Sequence, residues 1–101
     1  VKRRVVWADT ARADYLGIIR HIAQENPEAA ERVAARIEGL AAGLADFTTG
    51  RAGRVKGTYE KVLPGLPYIL AYEVASLAEG EVVAILHVIH GARHWPDEEW
   101  P

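Results

Sequence analysis

Val82-Val83-Ala84-Ile85-Leu86-His87-Val88-Ile89 is apolar at every position but one. A strand with one wet face alternates apolar and polar residues. A short, unbroken, β-branched run marks instead a central strand covered on both faces. Such a strand needs a neighbour at each edge and a layer over each face. In a chain of 101 residues that leaves room for one domain, residues 1–101, and none for a second.

The covering layer is legible upstream. Tyr15, Ile18, Ile19 and Ile22 recur at helical spacing, and Asp9 or Thr10 is placed to cap the helix they define. That helix must stop near Gln24 or Glu25, because a residue ahead of proline avoids the helical region. Asn26-Pro27 restarts it, with Asn26 as N-cap, Pro27 at the first helical position, and Glu28 and Glu31 near the positive end of the dipole. Val33, Ile37, Leu40 and Leu44 then form a narrow seam as far as about Asp46. Two helices joined by so tight a turn make an antiparallel hairpin. Gly39 and Gly43 leave a small-residue face on the second helix. Its plain reading is close approach to the first helix or the sheet, and its second reading is a groove that receives another chain.

The strands come at the two ends of the chain. Lys2 to Trp7 favours extended backbone. Val55 to Leu63 alternates well enough for a strand, Pro64-Gly65-Leu66-Pro67 turns it, and Tyr68 to Ala75 follows with Tyr68, Leu70, Tyr72 and Val74 on one face. A second turn around Gly80 leads into Val82–Ile89. Short connections make the last three strands an antiparallel meander. The expected order is β-α-α-β-β-β, an α+β domain with a helical hairpin on a small, mainly antiparallel sheet.

Composition closes several classes. With no cysteine there is neither a disulfide framework nor a thiolate zinc site. No apolar run approaches bilayer length and the start carries no secretory h-region, so a cytoplasmic protein without membrane contact is expected. The chain opens on Val1 rather than methionine, which suggests a start slightly inside the native protein. A net charge of −2 argues neither for nor against nucleic acid. The distribution says more: Arg51, Arg54, Lys56 and Lys61 face a single acid, Glu60, whereas Asp97, Glu98 and Glu99 form an acidic tail.

Candidate chemistry collects at the end of the last strand. His87 and His90 are three residues apart and point to opposite faces, which disfavours a shared metal. His87, among aliphatics, reads as a satisfied half-core histidine, and His94 as a solvated one. His90, beside the glycine that breaks the strand, and Arg93, where the chain can turn back over the sheet end, are the better functional candidates. Glu60, His90 and Arg93 together have the residue types for general acid–base cleavage of RNA. The basic run reads either as a solubilising edge or as a phosphate-tracking surface with Tyr59, Tyr68 and Trp95 as stacking aromatics. No P-loop, G-x-G-x-x-G or nucleophile elbow occurs, and nothing calls for a cofactor or a metal.

With this order of elements in hand, the chain resembles the RelE/ParE superfamily of toxins from bacterial type II toxin–antitoxin systems. The resemblance is carried by Val6-Trp7-Ala8-Asp9-Thr10-Ala11-Arg12-Ala13-Asp14-Tyr15-Leu16, Asn26-Pro27-Glu28-Ala29-Ala30, Gly50-Arg51 and Gly57-Thr58-Tyr59-Glu60. Pro67-Tyr68-Ile69-Leu70-Ala71-Tyr72 and His87-Val88-Ile89-His90-Gly91-Ala92-Arg93 complete it, so that it spans nearly the whole chain. It implies growth inhibition, a role of the plasmid-stabilisation kind, and a cognate antitoxin whose C-terminal segment wraps the toxin in an even-numbered hetero-oligomer. Ile19, Ile37, Leu40 and Leu44 are the expected antitoxin contacts.

For the target the resemblance implies one of two activities. RelE-like members are ribosome-dependent mRNA interferases whose matching strand commonly reads Tyr-Arg-Leu-Val-Tyr. Here Ile69 replaces that arginine, and an isoleucine offers no charge to a phosphate. Arg93 falls near a C-terminal arginine of the RNases, but their tail tyrosine is missing and Trp95 cannot donate a proton in its place. The reading therefore leans to a ParE-like DNA gyrase poison, with Arg93, His90, Glu60 and Tyr59 as target-binding or catalytic residues. An inactive interaction module is the third possibility.

Overall fold

Asn26 divides the helical layer as its chemistry dictates. In the computed structural model, which describes residues 3–91, α1 runs Asp9–Glu25 and α2 runs Pro27–Ala42, followed by a 3₁₀ turn at Gly43–Ala45. The Asn26 side chain accepts the Ala29 amide at 3.0 Å, which satisfies a backbone donor that the helix cannot. The start of α1 differs from expectation. Ala8 is its N-cap and caps with no side chain. Thr10 is drawn away, its hydroxyl donating to the Leu86 carbonyl at 2.6 Å.

Five strands form one sheet: β1 Arg4–Trp7, β2 Arg51–Ala52, β3 Tyr59–Val62, β4 Tyr68–Leu77 and β5 Gly80–His90. Their order is β1-β5-β4-β3-β2. β3, β4 and β5 are the expected antiparallel meander, while β1 lies parallel to β5, and the two helices carry the chain from β1 at one edge of the sheet to β2 at the other. β2 was not anticipated, and β3 is shorter than the expected strand. The Thr58 hydroxyl and amide both donate to the Val55 carbonyl, at 2.5 and 3.2 Å, and Gly57 sits at φ 84°. These bonds fold residues 53–58 into a turn.

The helices cover one face. Ala11, Ile37, Ala41 and Leu44 pack there against Leu63, Leu70, Tyr72, Val83, Ile85 and Val88. The pairing of β4 with β5 shifts register between Ala71 and Tyr72, passing from Ala71 opposite His87 to Tyr72 opposite Ile85. Leu86 is the extra residue of this β-bulge. A small second cluster, Ile69, Ala71 and Ile89, lies on the other face. Gly39 and Gly43 correct the close-approach reading, since a Cβ on either would meet nothing within 4 Å.

Tyr15 ties the two helices together. Its hydroxyl donates to Glu38 Oε2 at 2.5 Å, and its ring packs 5.4 Å from that of Trp7. Burial, then the hydrogen bond to Glu38 and the charge of that carboxylate, push its pKa up to about 12 from 10.0. Below pH 10 the phenol is protonated in both folded and unfolded chains, and its contribution to stability is complete. Between pH 10 and 12 the unfolded chain gives up the proton first, so that contribution is lost as pH rises. The urea midpoint should fall across that window, and less steeply in Tyr15→Phe. Equal slopes for the two proteins would contradict this assignment.

Candidate functional site

Two places gather polar chemistry, and β4 stands between them. The first is the β2–β3 edge. Glu60, on β3, is 2% exposed. It lies opposite Ala71 and so on the sheet face away from the helices. A buried carboxylate is tolerated only when paired and hydrogen-bonded. Glu60 Oε2 accepts the Arg54 amide at 2.9 Å and Arg54 Nε at 3.2 Å, while Arg51 Nη2 stands 3.4 Å from Oε1. The turn at residues 53–58 returns the Arg54 side chain over the acid. Lys56 is exposed on that turn, and Lys61 Nζ donates to Thr49 Oγ1 at 2.7 Å. Tyr59 points to the helix side and stacks on Tyr72, centroids 5.5 Å apart.

The second place is a groove of about 720 Å³ between α1 and the end of β5, lined by Asp14, Ile18, His21, Tyr68, His87 and His90 among others. Register places His87 and His90 on opposite faces, opposite Ala71 and Tyr68, yet both line this one groove. The reason is that β1 stops at Trp7, paired with Ile85, and leaves the rest of that β5 edge to α1. Asp14 Oδ2 there accepts both the Val88 amide at 3.1 Å and His87 Nδ1 at 3.0 Å. His87 is thus a half-buried, satisfied histidine. The His90 ring meets Tyr68 edge-on at 5.6 Å.

The structure therefore separates Glu60 from His90, which lie two strands apart and on opposite faces. They do not form a joint acid–base pair. Arg93, the third member of that set, lies outside the described residues, as do His94, Trp95 and the acidic tail. Tyr68 belongs to the groove and not to the basic edge. Of the expected antitoxin contacts, Ile37 and Leu44 are fully buried in the core of this chain, whereas Ile19 and Leu40 are half-buried. Ile69 is 7% exposed and packed with Ala71 and Ile89.

Sequence reading missed Asp14. Its signal was available, because a carboxylate three residues after Ala11 and four before Ile18 interrupts the apolar stripe of α1. Among the described residues, no three His, Cys, Asp or Glu side chains are arranged to hold a metal ion, and no helix is long and apolar enough to cross a membrane.

Known proteins sharpen this picture. The family model described as "ParE toxin of type II toxin-antitoxin system, parDE" matches residues 5–95. A Sinorhizobium fredii protein named "Putative toxin Y4kP" is 38% identical over 98 residues, covering 94% of this chain and 95% of its own. "Toxin RelE2" of Caulobacter vibrioides is 33% identical over 90 residues, 89% of this chain and 97% of its own. A solved structure titled "Chromosomal ParDE TA system from P. aeruginosa" superposes with a TM-score of 0.78 over 88% of this chain and 96% of that one. At 22% identity that likeness is one of fold. Helical hairpin, meander and parallel first strand are thus those of a RelE/ParE superfamily toxin. Within that class the chain belongs to the ParE toxin family of type II toxin–antitoxin systems.

Proposed function

We propose that this toxin arrests growth by poisoning DNA gyrase and is held inactive in the cytoplasm by a cognate antitoxin. The observation that carries the reading is Ile69. Where the RNases place a phosphate-binding arginine, this chain has an aliphatic side chain in a packed cluster. Glu60 supports it, since both of its oxygens face arginines and neither is exposed enough to take a proton from a substrate hydroxyl. The match to the ParE family model points the same way.

The antitoxin is expected to add an even-numbered assembly, touching the half-buried Ile19 and Leu40 rather than Ile37 and Leu44. Induction without the antitoxin should trigger the DNA-damage response, and purified toxin should raise gyrase-trapped cleaved DNA at least tenfold over background. Intact DNA with messages cut near ribosomes, abolished by Arg93→Ala, would instead establish the mRNA interferase reading that the cation-rich edge favours. Growth unaffected by uncontrolled expression would mark an inactive interaction module.

A further inference from the structure

We infer that the β2–β3 edge is a contact surface for the sugar–phosphate backbone of duplex DNA, with its net charge set from beneath by Glu60. The inference rests on the gyrase reading, which puts the toxin beside DNA. Four cations and one acid occupy residues 51–61, and they are not equivalent. Arg54 is held by Glu60 through two bonds and is only 25% exposed, so its charge is largely spent on the buried carboxylate. Arg51 is 60% exposed and meets Glu60 at 3.4 Å, a loose contact that leaves its guanidinium able to turn outward. Lys56 is exposed, whereas Lys61 is half-buried on the helix side of β3, as Tyr59 is, and bonds to the Thr49 hydroxyl.

Two cations, Arg51 and Lys56, are thus offered outward from a stiff mount. The turn is closed by the Gly53 amide donating to Thr58 O at 2.8 Å, and a Cβ on Gly53 would collide with Thr58 Oγ1. Charges held on such a turn and on the strand that enters it lose little freedom on binding. Phosphate contacts need only such placed cations and no base readout. Lysine is depleted from the cores of protein–protein interfaces, which are anchored by buried aromatics. The one aromatic of this edge, Tyr59, is stacked on Tyr72 on the helix side of the sheet. Nucleic acid suits the surface better than a protein partner does.

The test is the salt dependence of binding between antitoxin-free toxin and a short labelled DNA duplex of arbitrary sequence, read by anisotropy. Two contacts give a slope of log K on log salt of about −2, and each cation removed takes away about 0.9. Arg51→Ala and Lys56→Ala should each flatten the slope by about 1 and weaken binding several-fold at low salt. Glu60→Gln keeps an oxygen for the Arg54 amide and releases the Arg54 charge. It should steepen the slope by about 1 and tighten binding several-fold. Arg20→Ala, exposed on α1, should leave the slope unchanged.

Slopes unmoved by Arg51→Ala and Lys56→Ala would overturn the inference, as would tighter binding to single-stranded RNA than to the duplex. Both variants are at exposed positions, so the test stands even if Glu60→Gln fails to fold. Gyrase trapping without salt-dependent DNA binding would remove this surface alone. DNA binding with these slopes but no trapping would remove the gyrase reading alone.

Discussion

Tyr72→Ala should cost about 3 to 5 kcal/mol of folding stability, the range for truncating a buried aromatic. Tyr72 is the largest of the fully buried side chains, at 0% exposure in the middle of β4. Its ring packs with the cluster that joins sheet to helices and stacks on Tyr59. Its hydroxyl donates to the Thr49 carbonyl at 2.6 Å, fixing the segment that leads into β2. Truncation opens a cavity where helix and sheet meet and strands that carbonyl. Domains of this size hold about 5 to 15 kcal/mol in all, so most of the margin goes. Tyr72→Phe keeps the packing and loses only the hydrogen bond, about 1 kcal/mol. Urea denaturation of the pair checks the assignment. A Tyr72→Phe loss equal to that of Tyr72→Ala would mean that the hydroxyl, and not the packing, carries the effect.

Arg54→Ala should cost about 3 kcal/mol, the lower end of the range for leaving a buried ion without its partner. The low end applies because Arg51 and the residue-54 amide remain near Glu60. Arg51→Ala, by contrast, should cost under about 1 kcal/mol, since that side chain is largely solvated and its contact is long. The asymmetry separates the two arginines: Arg54 holds the turn down and Arg51 projects from β2. Combining Arg54→Ala with Glu60→Gln should recover part of the loss, because the orphaned charge is then gone. Denaturation of the two single variants and the double closes the cycle. Additive losses would show that Arg54 acts through packing alone.

Local chemistry was legible, and pairing at a distance was not. Asn26-Pro27 announced its helix boundary because an N-cap and its amide lie three residues apart. The meander was legible because Pro64-Gly65-Leu66-Pro67 and the Gly80 turn are short. β2 has two residues, and its existence depends on Arg51 and Ala52 finding Glu60 and Tyr59. Nothing local announces that. Periodicity gave the apolar stripe of α2 but not what lies against it, which is why Ile37 and Leu44 read as partner contacts when they belong to the core. Glu60 read as a reactive group because its residue type suits acid–base chemistry. Its burial depends on two arginines brought back over it. The shared groove of His87 and His90 was hidden because alternation describes the faces of a strand and not the place where its neighbour stops.

That stopping place has a dynamic consequence. Beyond Trp7, no strand among the described residues pairs with β5 on that side, and α1 takes over with the Ala8 amide on Ile85 O, the Thr10 hydroxyl on Leu86 O and Asp14 on the Val88 amide. Asp14 and Val88 are 74 positions apart in sequence, yet one cannot let go without exposing the other. Local opening proceeds in contiguous cooperative units. The first turns of α1 and the last third of β5 should accordingly open as one such unit, and in native-state hydrogen exchange the Val88 amide should exchange at the pace of helix undocking rather than of strand fraying.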